Sequence, residues 1–142
     1  MNESRIINLD DLANTVEIIM ADKPFKISRI TMEIRTIYGK YLQFYGEYLV
    51  KIAKIQEAPD TLDASEYEKL AEHTQKTVEG FAIGKAEFIN KMMTLILKHN
   101  GYEFDFAWWE ANSDYSHMEQ FIVQALKKDE PEVKSKKKAT AS

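Results

Sequence analysis

The stretch RITMEIRTIYGKYLQFYGEYLVKIAKIQE, residues 29–57, decides the fold. Its apolar side chains recur at Ile30, Ile34, Ile37, Tyr41, Tyr45, Tyr48, Ile52 and Ile55, in steps of three and four. That spacing puts them on one face of an α-helix. Tyr38, Leu42 and Leu49 form a second stripe that widens the face. Ser28 is suited to cap such a helix and Pro59 to end it. The spacing therefore predicts a helix over 29–57, about 43 Å long at 1.5 Å per residue. Its apolar arc is too wide for one neighbour, so this helix is either central in a bundle or carries oligomer or partner contacts.

Reading toward the C-terminus, Tyr67, Leu70, Ala71, Thr74, Val78, Phe81, Phe88, Met92 and Leu95 form a second helical stripe. Asp63 or Ser65 can cap it, and Glu66 and Glu68 lie in the first turn, where the helix dipole favours acids. Lys98-His99-Asn100-Gly101 ends it with basic residues and a glycine suited to a left-handed position. This second helix is expected over 65–100. Gly39, Gly46, Gly80 and Gly84 lie inside the two helices, each costing about 1 kcal/mol relative to alanine. Gly80 and Gly84 are candidate points for a bend or break, or for a close approach of another backbone.

Reading toward the N-terminus, Val16, Ile18 and Met20 alternate with Thr15, Glu17 and Ile19, and Phe25 and Ile27 alternate with Lys26 and Ser28. Period-two patterning around Ala21-Asp22-Lys23-Pro24 predicts a small β-hairpin. At the other end, Phe104-Asp105-Phe106-Ala107-Trp108-Trp109-Glu110 reads as a short helix or turn. A last helix is expected over about 115–127, capped by Asp114 or Ser116, with Met118, Phe121, Ile122 and Leu126 on one face. The expected fold class is mainly α: two long helices, a shorter C-terminal helix and a small N-terminal hairpin. Residues 1–127 are expected to form a single helical domain. Residues 128–142 are expected to be a disordered Lys-rich tail, since this composition cannot offset its ordering entropy.

Composition narrows the function. The chain has 142 residues, no cysteine and a net charge of −4. Lys127–Ser142 carries +3, so the body carries −7. An acidic body argues against nucleic acid as the main partner, because phosphate binding needs clustered Lys and Arg. The first residues lack the pattern of a signal peptide, and the apolar run near Met92–Leu97 is too short to span a bilayer. A cytoplasmic protein with no membrane partner is expected.

No catalytic pattern assembles. His73, His99 and His117 have no second ligand at metal-binding spacing, and there is no phosphate loop, dinucleotide fingerprint or nucleophile elbow. Asp10-Asp11 and Asp129-Glu130 read as solvated surface. The expectation is a non-enzyme without cofactor or metal. Candidate partner-binding residues are Phe104, Phe106, Trp108, Trp109 and Tyr115. Adjacent helical residues point about 100° apart, so one buried face rarely takes both Trp108 and Trp109. The cluster either closes the end of the helical core or keeps one indole accessible as an anchor. Met92, Met93 and Met118 are further candidates for adaptable apolar contacts, although core packing is the more common use of Met.

The order of parts resembles the tail assembly chaperones of long-tailed bacteriophages. The resemblance rests on the hairpin at Thr15–Ile27, the two long helices, the closing WWEANSDYSHMEQFIVQAL, residues 108–126, and the Lys-rich end Lys134-Ser135-Lys136-Lys137-Lys138-Ala139. It is similar in architecture over most of the chain, and it carries no binding residues across. In that family a frameshift near the end of the first frame makes a longer fusion at A-rich codons read as Lys-Lys. Lys136-Lys137-Lys138 is similar to such a trace. The resemblance implies a chaperone that binds the tape measure protein and helps recruit tail tube protein subunits, in its short, unfused form. The alternative is a structural virion component, such as a connector or head-completion protein. A homo-oligomer is a further candidate assembly.

Overall fold

The structure, a computed structural model, describes residues 14–129. The described residues are mainly α, with four helices and one two-stranded antiparallel hairpin. The elements are β1 (Val16–Met20), β2 (Lys23–Ile27), α1 (Met32–Gln56), α2 (Ala64–His99), α3 (Phe106–Asn112) and α4 (Tyr115–Leu126). The expected signal-peptide-free start and nearly all of the expected tail lie outside the described residues. The chain divides into two compact units. One joins the hairpin to the residues from Ile96 onward, and the other is Thr31–Leu95. The last turn of α2 thus belongs to the first unit and the rest of α2 to the second.

In the first unit, β1 and β2 pair in the register Val16↔Ile27, Ile18↔Phe25 and Met20↔Lys23. Phe25 and Ile27 are buried, and the partners Val16 and Ile18 share their face. The loop is two residues long, with Ala21 at φ 48° and Asp22 at φ 63°. Positive φ at both positions is the type I′ arrangement, whose twist matches that of the flanking strands. The α4 helix packs against β1 and buries Met118, Phe121, Ile122 and Ala125. Ala125 takes the place expected of Leu126, which is half-buried.

The end of α2 builds the other side of this unit. Gly101, at φ 85°, lets the Tyr102 N–H reach the Leu97 carbonyl at 2.8 Å and the Gly101 N–H reach that of Lys98 at 3.3 Å. These two bonds form a Schellman cap. The cap aims Asn100 and Tyr102 at the outer edge of β2. Along that edge Pro24 has no N–H, Lys26 donates its N–H to the Tyr102 hydroxyl at 2.8 Å, and Ser28 donates its own to Asn100 Oδ1 at 2.9 Å. Two strands alone are marginal in water. Here the side chains of a helix terminus cover one edge.

In the second unit, α1 and α2 run antiparallel, as their ring contacts show: Tyr41 meets Phe88, Phe44 meets Phe81 and Phe88, and Tyr48 stacks on Phe81 at 3.9 Å. Three expectations are corrected here. The cap of α1 is Thr31, which accepts the Ile34 N–H, and not Ser28, whose N–H is held by Asn100. Gly80 and Gly84 do not break α2, which is continuous. At Gly84 a Cβ would overlap the Phe44 ring, so glycine permits the close approach of that ring. Leu42 and Leu49, in the stripe that widens the apolar arc, are each 51% exposed. On α2, Tyr67 and Val78 are exposed, whereas Ile89, Met92 and Met93 are buried. Asp63 caps α2, accepting the Glu66 N–H at 2.8 Å.

Candidate partner-binding site

The aromatic segment is organised by two aspartate caps. Asp105 accepts the Trp108 N–H at 3.3 Å and starts α3, and Asp114 accepts the His117 N–H at 2.8 Å and starts α4. The Asp114 carboxyl is held below the ordinary aspartate value, first by the His117 backbone N–H and further by the nearby His117 ring. The short α3 then presents Phe106, Trp108 and Trp109 in different directions.

Trp109 points inward and is 1% exposed. Its ring lies 5.4 Å from Phe25, 5.3 Å from Phe121, 5.2 Å from Trp108 and 6.3 Å from Phe104. The expectation that Trp109 is a partner contact is thereby corrected. It is the centre of this unit's core, because its indole fills the space between β2 and α4. Met92, Met93 and Met118 are all buried, which is core packing and not partner contact.

Phe104, Phe106 and Trp108 form a lip around that centre. Phe106 is exposed, and Phe104 and Trp108 are half-buried. Phe104 and Phe106 meet edge to face at 6.1 Å. Trp108 stands on Trp109 at 81° and reaches Phe25 at 6.2 Å. Tyr115, the first residue of α4, is half-buried.

The hairpin contributes residues that the sequence reading did not connect to this cluster. Lys23 Nζ lies 5.1 Å from the Trp108 ring centroid and 5.4 Å from that of Phe25, close enough for cation–π attraction. Tyr102 packs edge-on against Phe25 at 5.1 Å. Phe25 could be read from the sequence as an inward strand residue. Its meeting with Trp109 depends on a chain separation of more than eighty residues, which no local pattern encodes.

Among the described residues, no group of three His, Asp or Glu is placed to hold a metal ion, and no helix is long and apolar enough to cross a membrane. His117 bonds its own cap residue Asp114 through Nδ1 at 2.9 Å. What the arrangement offers is a rigid aromatic base with a partly exposed aromatic rim and one adjacent cation. No protein-family model, curated protein or solved structure matches this chain.

Proposed function

We propose that this chain is a non-enzymatic protein-binding factor of the tail assembly chaperone type, acting in the cytoplasm of the cell where a phage tail is built. Its client would be the long helical tape measure protein, with tail tube subunits recruited to the complex. The observation that supports this reading is the Phe104–Phe106–Trp108 lip, anchored on a buried Trp109. Aromatic rings immobilised from below lose little entropy on binding and supply large apolar area. Such a lip suits the apolar ridge of an amphipathic helix. Lys23 beside Trp108 would meet acidic residues flanking that ridge.

The role would be transient. Co-expression with a tape measure protein from the same phage should give a soluble complex containing both chains, and purified mature particles should lack this chain. Its presence in mature particles at fixed stoichiometry would instead make it a structural virion component. Failure to co-purify with the tape measure protein would overturn the client assignment.

A further inference from the structure

A cleft of about 460 Å³ lies between α1 and α2, inside the second unit. Phe44 and Tyr48 of α1 and Phe81 of α2 form its apolar wall. These rings stack on one another, yet all three stay half-buried and keep surface open to the cleft. Gly80 also lines it. A Cβ at Gly80 would meet nothing within 4 Å, and its φ is not positive. Neither packing within the chain nor backbone conformation therefore explains this helix-interior glycine, which costs about 1 kcal/mol relative to alanine. What it does is leave the cleft open, since a long side chain at this position would take up its space.

The polar part of the lining is basic. Lys51 comes from α1, and His73 and Lys76 lie three residues apart on α2. Among the described residues Glu47 is the one carboxylate in the lining, and it accepts the Gln43 amide at 3.4 Å. Lys76 reaches Glu72 at 3.7 Å, but both side chains are largely exposed, so this pair neutralises little. Lys51 forms no ion pair among the described residues. Two ammonium groups against one carboxylate leave an excess of positive charge here, while the body as a whole carries −7. A neutral occupant would use only the rings, and an inorganic anion only the cations. The volume lies within the range of small-molecule sites, about 300–1,000 Å³. We infer that the α1–α2 cleft binds a small organic anion, its flat apolar body against Phe44, Tyr48 and Phe81 and its carboxylate, phosphate or sulfonate held by Lys51, Lys76 and His73. The site shares no residue with the aromatic lip, so its failure would leave the client assignment untouched.

Anilinonaphthalene sulfonate, a flat ring system bearing one sulfonate, is the probe, titrated by fluorescence against the folded full chain. One site per chain with a Kd below about 100 µM is expected. Lys51→Glu changes an exposed side chain and should weaken binding at least about tenfold, the worth of one hydrogen bond to a charged group. Lys91→Glu makes the same change in net charge fifteen residues from Lys76 along α2. At about 22 Å it lies beyond the screening length of about 8 Å and should alter the Kd by less than about twofold. Gly80→Leu should weaken binding at least about tenfold with helical circular dichroism retained, because it fills the cleft. Phenyl phosphate should displace the probe, and benzyl alcohol, which lacks the charge, should not. The inference is overturned by a wild type that shows no saturable binding up to about 1 mM, or by equal losses in Lys51→Glu and Lys91→Glu. A folded Gly80→Leu protein that binds as the wild type does, or displacement by benzyl alcohol as effective as by phenyl phosphate, would overturn it too.

Discussion

The side-chain oxygen of Asn100 receives the N–H of Ser28 at 2.9 Å, so the end of α2 occupies the place a third strand would take beside β2. The same oxygen also receives the Arg29 N–H at 2.9 Å. The amide nitrogen donates to the carbonyls of Arg29, at 2.9 Å, and Ile96, at 2.7 Å. One side chain thus joins the strand's exit to the helix's last turn, and both of its polar atoms are used. Replacing Asn100 by Ala should destabilise the protein by roughly 1 kcal/mol, the net worth of hydrogen bonds that are mostly at the surface. Asn100→Asp keeps the acceptor, loses both donors and should fall between. Urea unfolding checks this: a midpoint unchanged in Asn100→Ala would mean that water replaces the bonds fully.

The hairpin turn carries a residue unsuited to it. Ala21 stands at φ 48°, where a Cβ crowds the backbone. Asn-Gly is the favoured pair for this turn type. The double variant Ala21→Asn, Asp22→Gly should stabilise the protein by about 1 kcal/mol, from the strain relieved at positive φ. Thermal melting should show a higher Tm, and a lower one would contradict the turn geometry.

The glycines of α2 should respond with opposite signs. At Gly80 a Cβ meets nothing within 4 Å, so Gly80→Ala should gain about 1 kcal/mol from helix propensity. At Gly84 the added methyl would strike the Phe44 ring. That ring is stacked on Phe81 at 5.4 Å and held by Phe88 at 5.4 Å, so it has little room to yield. Gly84→Ala should lower stability despite the better helix former. Equal shifts in the two melts would contradict this packing.

The elements were legible in the sequence because their signals are local. The stripe from Ile34 to Ile55, the Gly101 terminus, the Asp63 and Asp114 caps and the alternating Val16–Met20 each act over a few residues. What is not legible depends on distant partners. A helical stripe shows amphipathicity and not which apolar arc meets a neighbour, so the placement of Leu42 and Leu49 is not legible locally. Trp109 was grouped with Trp108 because adjacency in sequence does not reveal which indole meets Phe25 and Phe121. Ser28 looked like a cap, but its N–H is taken by a residue seventy-two positions away.

Acid should loosen the helix starts. Asp63 and Asp114 both lie below the ordinary carboxyl value of 3.8, Asp63 chiefly through the Glu66 backbone N–H and Asp114 through that of His117. A carboxyl depressed in the folded state stabilises it above the unfolded value, and that stabilisation is lost as pH falls through the folded value. Asn still accepts the capping bond but does not titrate. The stability gap between the wild type and the double variant Asp63→Asn, Asp114→Asn should therefore narrow between about pH 5 and about pH 2. A gap constant over that range would mean that these carboxylates gain nothing from their caps.

The most direct test of the client-binding account compares the two neighbouring tryptophans. Affinity for the tape measure protein and Tm are measured together for Trp108→Ala and Trp109→Ala. Trp109→Ala empties the centre of the core and should cost roughly 3–5 kcal/mol of stability. Trp108→Ala should keep most of the Tm yet weaken binding at least about thirtyfold, the size expected of an interface anchor. If Trp108→Ala instead lowers the Tm as far as Trp109→Ala, or leaves affinity unchanged, the aromatic lip is core and not a binding site.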